Sequence, residues 1–172
     1  PEEAEGHIGP FIMARQAAIV DAQLQDALAK GARLLAGGKS ETHGGGLYMR
    51  PTVLVDVHHG MDIMKDETFG PVIPVMAFDT EDEAVALAND SSFGLSGAVI
   101  AGTESEARRI GERIDAGGIS LQDTTLTIAI TRDAEKSSFK MSGLGESRMG
   151  PSSILRFFRR KALMTNTARP VD

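Results

Sequence analysis

The sequence predicts an α/β fold in which a mostly parallel sheet is flanked by helices. From Val72 onward, apolar runs typical of buried strands alternate with short helical patterns. Both predicted helices begin with a capping box, Thr80 with Glu83 and Thr103 with Glu106, in which a hydroxyl and an acid bond the free amides of the first turn. Strands that alternate with helices in this way pair in parallel through right-handed crossovers.

The N-terminal part predicts one helix and one short strand. Apolar residues recur at spacings of three and four from Val20 to Leu35, which places them on one face of a helix. We expect Gly37 and Gly38 to end this helix, because glycine readily adopts the left-handed conformation of a C-terminal cap. Alternation over 52–57 then predicts a strand.

The later elements follow one another without a clear linker. The patterns predict strand 72–78, helix 81–89, strand 95–101, helix 104–115 and strand 118–121. A polar, interrupted segment at 122–140 predicts a long loop. Residues 154–161 predict a helix with Leu155 and Phe158 facing the core, and 162–166 predict a last extended piece.

Composition restricts the classes of function. The 172 residues are 41% hydrophobic and 24% charged, which is ordinary for a globular domain. The net charge of −6 argues against a general nucleic-acid or anionic-membrane surface. No apolar run is long enough to span a bilayer, and the acidic N-terminus is unlike a signal peptide. We therefore expect a cytoplasmic protein that binds neither nucleic acid nor membranes.

The chain contains no cysteine. This excludes disulfides, thiolate metal sites and a thiol nucleophile within these residues. His58 and His59 are adjacent, so their side chains diverge in a helix or a strand, and no third ligand is near them in sequence. We expect no metal site.

The stretch from Asp66 to Val72 is the candidate functional site. It combines the acids Asp66 and Glu67, the aromatic Phe69 and a Gly70-Pro71 corner directly before the strongest predicted strand. Pro71 fixes its own φ and biases Gly70 toward extended geometry, so the chain should turn here and enter the sheet. A carboxylate and a ring at the mouth of a sheet suit a polar ligand.

This stretch, DETFGPV at 66–72, resembles the EEIFGPV segment of NAD(P)-dependent aldehyde dehydrogenases. Between Gly9 and Lys161, other segments resemble phrases of the same family in the same order. They are GPFIMARQ at 9–16, KGARLLAGG at 30–38, PTVLVDV at 51–57, DTEDEAVALAN at 79–89, FGLS at 93–96 and MSGLGES at 141–147. The resemblance therefore covers nearly the whole chain.

The resemblance implies a fragment of an enzyme that oxidises an aldehyde to a carboxylic acid through a thiohemiacetal on a cysteine. Residues 1–161 would be part of the catalytic domain, and 162–172 a C-terminal strand that contacts other subunits of a dimer or tetramer. Glu67 would accept hydrogen bonds from two hydroxyls of the nicotinamide ribose of NAD or NADP. Phe69 would pack beside the nicotinamide ring. The nucleophile and the cofactor domain would lie outside this chain. It would then hold no catalytic residue, be inactive alone and bind no cofactor tightly.

Two segments depart from the family pattern. Glu135-Lys136-Ser137-Ser138 replaces a PFGG phrase, and Glu146-Ser147 replaces an Arg-Glu pair. The substrate-side wall is therefore unusual, and the sequence names neither the aldehyde nor the preference between NAD and NADP. Plainer interpretations of the site also stay open, with Glu67 as a surface acid and Phe69 as a core aromatic.

Two other classes of function are compatible with the sequence. The chain could be a non-catalytic α/β assembly module of the same family, with 162–166 as a pairing edge. It could also be an independent nucleotide-binding domain, but Arg148 stands where a GxGxxG loop that begins at Gly143 requires its last glycine. We therefore expect calorimetry with NAD+ to show no binding to this chain, and a submillimolar affinity would favour this alternative.

Overall fold

The computed structural model describes residues 8–124, 134–145, 149–159 and 161–164. They belong to two compact units, one ending at Thr80 and one starting at Glu81, which are described separately below. Each unit combines helices and strands, which confirms the α/β class. Within the described ranges, no helix has the length and apolar character needed to cross a membrane.

The first unit contains one long helix and five short strands. The strand β4 lies in the centre of a three-stranded sheet, antiparallel to β1 and parallel to β5, while β2 and β3 form a separate antiparallel pair. The elements are α1 Ala14–Ala29, β1 Arg33–Ala36, β2 Ser40–His43, β3 Gly46–Met49, β4 Thr52–Val55, a 3-10 helix Asp62–Met64 and β5 Val72–Val75.

Helix α1 ends at Ala29, so the prediction that it continues to the Gly37-Gly38 pair is wrong. Gly31 has a φ of +104° and already supplies the left-handed residue that ends a helix. Leu34 and Leu35 therefore lie on β1, an edge strand whose residues are all exposed. Their spacing matched a helical pattern although they take no part in the helix.

The core of the first unit joins α1 to the central strand. Leu54 on β4 is fully buried and belongs to one cluster with side chains from α1 and from the segment before β5. The other buried members of this cluster are Val20, Leu24, Ala27, Ala32, Met49, Val57, Met61 and Ile63. The same core therefore supports both sides of the segment that contains the candidate site.

The second unit contains the predicted strand–helix–strand crossover. Strands β7 and β8 pair in parallel, with α3 between them in sequence, and β6 pairs antiparallel with β9. Thr103 Oγ1 accepts the backbone N–H of Glu106 at 3.2 Å, which confirms the N-cap of α3. The elements are α2 Glu81–Asn89, β6 Phe93–Gly94, β7 Ser96–Val99, α3 Glu104–Gly111, β8 Gly118–Leu121, β9 Phe139–Lys140 and a 3-10 helix Pro151–Phe157.

Two details of the predicted architecture differ from the structure. The parallel pairs β4–β5 and β7–β8 occur in separate small sheets, and antiparallel pairs accompany them. Instead of a helix over 154–161, a 3-10 helix covers Pro151–Phe157, and Leu155 and Phe158 are 55% and 69% exposed. Short helices depend on burying an apolar face, and these two side chains bury little.

The predicted C-terminal strand is only partly within the described residues. Residues 161–164 are described and form no strand, whereas 165–172 lie outside the described ranges. The oligomer contact at 162–172 therefore stays a prediction.

In the second unit, an ion-pair cluster joins the start of α2 to α3 and to Arg113, which follows that helix. The guanidinium groups of Arg109 and Arg113 both bond the carboxylate of Glu81, and Arg113 also bonds Asp82 at 2.6 Å. The hydrogen bond from Arg109 is the main reason that the pKa of the Glu81 carboxyl lies below its ordinary value, and desolvation opposes it. The cluster therefore favours the ionised carboxylate in the folded state.

This cluster predicts a loss of stability in acid. Because the pKa of Glu81 is lower in the folded chain, its stabilising contribution is present above the unfolded value of about 4.5 and is lost as the pH falls through the folded value. We expect Glu81→Gln to weaken the acid dependence of the unfolding free energy, measured by urea denaturation from neutral pH to about pH 3. The control is Glu104→Gln, which removes a single exposed ion pair with Arg108. Equal slopes for Glu81→Gln and the unmodified chain would contradict the prediction.

Candidate functional site

The candidate site lies on the loop Asp66–Pro71, called the acidic loop below, between the 3-10 helix of the first unit and β5. Both ends of the loop are fixed by main-chain hydrogen bonds. Asp66 N–H donates to the carbonyl of Asp62 at 2.9 Å, and the carbonyl of Pro71 accepts the N–H of Thr52 at 2.8 Å. The loop therefore starts and ends at fixed points of the fold.

Two glutamines of α1 hold the middle of the acidic loop. Gln16 Nε2 donates to the carbonyl of Thr68 at 2.6 Å, and Gln23 Nε2 donates to the carbonyl of Glu67 at 3.4 Å. They are seven residues apart, about two helical turns, so they lie on one face of α1. Neither was predicted as a site residue. The available signal was a glutamine, Gln23, within the apolar stripe of an otherwise regular helix.

The loop presents both sequence-predicted site residues to solvent. Glu67 is exposed, and none of the residues that the structure describes pairs with its carboxylate. Phe69 is 74% exposed, so the alternative interpretation of this ring as a core aromatic is wrong. The structure thus places a free carboxylate and an exposed ring two residues apart on one anchored loop.

Phe69 has a φ of +42°, in the left-handed region that bulky side chains rarely adopt. Such a conformation costs on the order of 1 to 3 kcal/mol and persists only where the surroundings determine it. At the next residue, a Cβ added to Gly70 would lie 2.9 Å from Val20 Cγ2 on α1. The strained ring position and the close approach to α1 therefore occur together.

A cavity of about 490 Å³ adjoins the acidic loop within the first unit. It is lined by residues 9–13 and 69–71 together with Gln16 and Met49, so most of its wall is apolar. Gln16 supplies the polar side chain of this lining. The site therefore offers an acceptor for hydroxyl donors, a flat apolar ring and an apolar recess beside it.

Glu135, one of the positions that depart from the resemblance, and Gln122, at the start of the predicted long loop, both have structural contacts. Glu135 accepts the backbone N–H of Ser152 at 3.1 Å, and hydrogen bonds from Ser152 lower the pKa of its carboxyl. The side-chain amide of Gln122 bonds both the N–H and the carbonyl of Ala101, at 2.9 and 2.7 Å, which extends the β7–β8 pairing. Glu146 and Ser147 lie outside the described residues. Across those that are described, no group of three or more acids and histidines is arranged to hold a metal ion.

Comparison with known proteins gives consistent results. The family model for the aldehyde dehydrogenase family matches residues 1–163. The chain is 38% identical over 161 residues to succinate-semialdehyde dehydrogenase [NADP(+)] of Deinococcus radiodurans, covering 94% of this chain and 33% of the relative. It is 36% identical to 4,4'-diapolycopene aldehyde oxidase of a Methylomonas species, covering 97% of this chain and 30% of the relative. The chain thus spans about a third of the length of the curated relatives it matches.

Solved structures show the same likeness. The PutA protein of Anabaena variabilis superposes with a TM-score of 0.87 at 47% identity, covering 97% of this chain and 36% of that protein. Betaine aldehyde dehydrogenase of Staphylococcus aureus, solved in complex with NAD+, gives a TM-score of 0.86 at 31% identity over 98% of this chain and 33% of that protein. The motifs, the α/β fold and a family match over nearly the whole sequence agree. The chain belongs to the aldehyde dehydrogenase family.

Proposed function

We propose that this chain is part of an NAD(P)-dependent aldehyde dehydrogenase and that its acidic loop binds the nicotinamide half of the cofactor. Residues 1–161 then form part of the catalytic domain, and 162–172 form a C-terminal contact between subunits. The observation that carries the proposal is the exposed carboxylate of Glu67, which is free of described partners and comes two residues before the exposed Phe69 on the same loop.

The residues of the acidic loop fit the nicotinamide riboside chemically. Two carboxylate oxygens match two ribose hydroxyls, and hydrogen bonds to an ionised acceptor are stronger than neutral ones. The ring of Phe69 provides a flat apolar surface beside them. NAD(P)+, when bound, supplies the hydride acceptor that oxidation of an aldehyde requires. Glu67 and Phe69 would orient it, and small errors of orientation cost rate.

The cysteine nucleophile of this proposal is supplied from outside the sequence, which contains no cysteine. The lengths of the curated relatives support an external nucleophile, since this chain spans only about a third of each of them. The names of the relatives differ in the aldehyde, and NADP+ and NAD+ each occur among them. The proposal therefore specifies the class of reaction, with NAD+ or NADP+ as the cofactor, and names no particular aldehyde.

Turnover assays test the proposal directly. The natural protein that carries this sequence should reduce NAD+ or NADP+ when an aldehyde panel is added, followed by the absorbance of the reduced nicotinamide. The chain alone should show no turnover, because groups that orient a cofactor have no reaction to assist without a nucleophile. Turnover by the chain alone would refute the proposal that the catalytic nucleophile is supplied from outside this sequence. A natural protein that reduces neither dinucleotide with any aldehyde would refute the whole.

A second candidate is assembly without chemistry, and one observation favours it. Phe157, Phe158, Leu163 and Met164 are 69% to 92% exposed, although they are large and apolar. A group of exposed apolar side chains favours association between protein molecules, because association removes their surface from water. We propose that the chain forms a homodimer or homotetramer through these exposed side chains. We also propose a cytoplasmic protein, whose acidic net charge disfavours binding to nucleic acid and membranes. Light scattering that shows a strict monomer at micromolar concentration would count against it.

A further inference from the structure

Gln23 is a polar residue in an apolar position. It is 5% exposed, within the stripe of α1 that also buries Val20, Leu24 and Ala27. Among the described residues, its Oε1 atom is buried and has no hydrogen-bond partner. Burying an unpaired acceptor is unfavourable, whereas an apolar side chain of similar size would avoid the cost. Packing therefore does not explain this residue.

The other end of the amide has a partner on the acidic loop. A main-chain carbonyl accepts hydrogen bonds only, so the amide nitrogen of Gln23 must face the carbonyl of Glu67 and Oε1 must point away from it. Gln16 bonds the next carbonyl, that of Thr68, from the same face of α1. Two consecutive carbonyls are thus held by one rigid helix.

We infer that Gln23 is a positioning residue for Glu67. By holding the main chain of Glu67 beside the carbonyl held by Gln16, it directs the carboxylate and the Phe69 ring outward together. Phe69, with its φ of +42°, follows directly after these two anchored residues. Without the anchor, the chain would relax from this strained conformation and turn the ring away. The inference rests on the proposed function of the acidic loop.

Gln23→Met in the natural protein that carries this sequence tests the inference. Methionine keeps the length of the side chain and removes both amide groups. We expect the KM for NAD(P)+ to rise roughly three- to tenfold and kcat to fall, because the cofactor is held less accurately. The KM for the aldehyde should stay within about twofold, and the Tm should not fall, since the unpaired acceptor is removed with the amide. The matched control is Gln25→Met, an exposed glutamine of the same helix, which should change none of these values.

The outcomes separate positioning from a purely structural role. A lower Tm with unchanged kinetic constants would overturn the inference, and so would unchanged values of both. If Gln23→Met fails to fold, Gln23→Leu is measured instead with the same expectations. Glu67→Gln is assayed in parallel. If it weakens NAD(P)+ binding while Gln23→Met does not, only the positioning inference fails. If it has no effect, the proposed role of the loop fails, and the inference fails with it.

Discussion

Replacing Glu67 with Gln in the natural protein is expected to weaken NAD(P)+ binding by about tenfold or more. Hydrogen bonds to a charged group contribute about 1.5 to 3 kcal/mol each, and 1.4 kcal/mol corresponds to a tenfold change in affinity. Glutamine keeps the shape of the side chain but loses the charge and one of the two acceptor oxygens. Titration calorimetry measures the Kd for each dinucleotide, and the KM for the aldehyde should change less.

Asp66 provides the control for this experiment. It is the neighbouring acid of the same loop and is also exposed. Asp66→Asn removes the same charge from almost the same place, so it reports any general electrostatic effect. If both variants weaken binding equally, a specific contact from Glu67 is contradicted. If neither does, the acidic loop does not bind the ribose.

The second large effect is expected on stability. Leu54→Ala should lower the free energy of unfolding by about 3 to 5 kcal/mol, because it leaves a cavity in a packed core. Leu54 is fully buried on β4, the strand that pairs with both β1 and β5. Urea denaturation followed by circular dichroism measures the change. In the natural protein, the same variant should also weaken NAD(P)+ binding at the acidic loop, because β5 follows that loop.

Leu35→Ala is the matched control, with the same truncation at a side chain that is 59% exposed on the edge strand β1. Its cost should be below about 0.5 kcal/mol, as for most surface substitutions. Similar losses of unfolding free energy in Leu54→Ala and Leu35→Ala would contradict the placement of Leu54 in the buried core. A loss at Leu54 of less than about 1 kcal/mol would do so as well.

The regular part of the fold was predictable because its signals are local. Both predicted helix spans have caps and apolar stripes within a few residues. The prediction at 81–89 is confirmed by α2 Glu81–Asn89, whereas α3 covers Glu104–Gly111 and ends four residues before the predicted end at 115. The strands β2 and β3 and the two-residue strands β6 and β9 were missed. Segments this short have too few alternating positions to show a period of two. The end of α1 was misplaced because two glycine signals competed and the earlier one, Gly31, ends the helix.

By itself, the sequence determined the α/β class, the family resemblance and the loop with its acid, ring and Gly-Pro corner. Each of these depends on residue types close together in the chain. Only the tertiary structure showed that Gln16 and Gln23 hold this loop across 52 and 44 residues, and that Phe69 is exposed in a left-handed conformation. Contacts over such separations depend on how α1 packs against the sheet. That packing depends on contacts among all the core residues at once, so no short stretch of sequence predicts it.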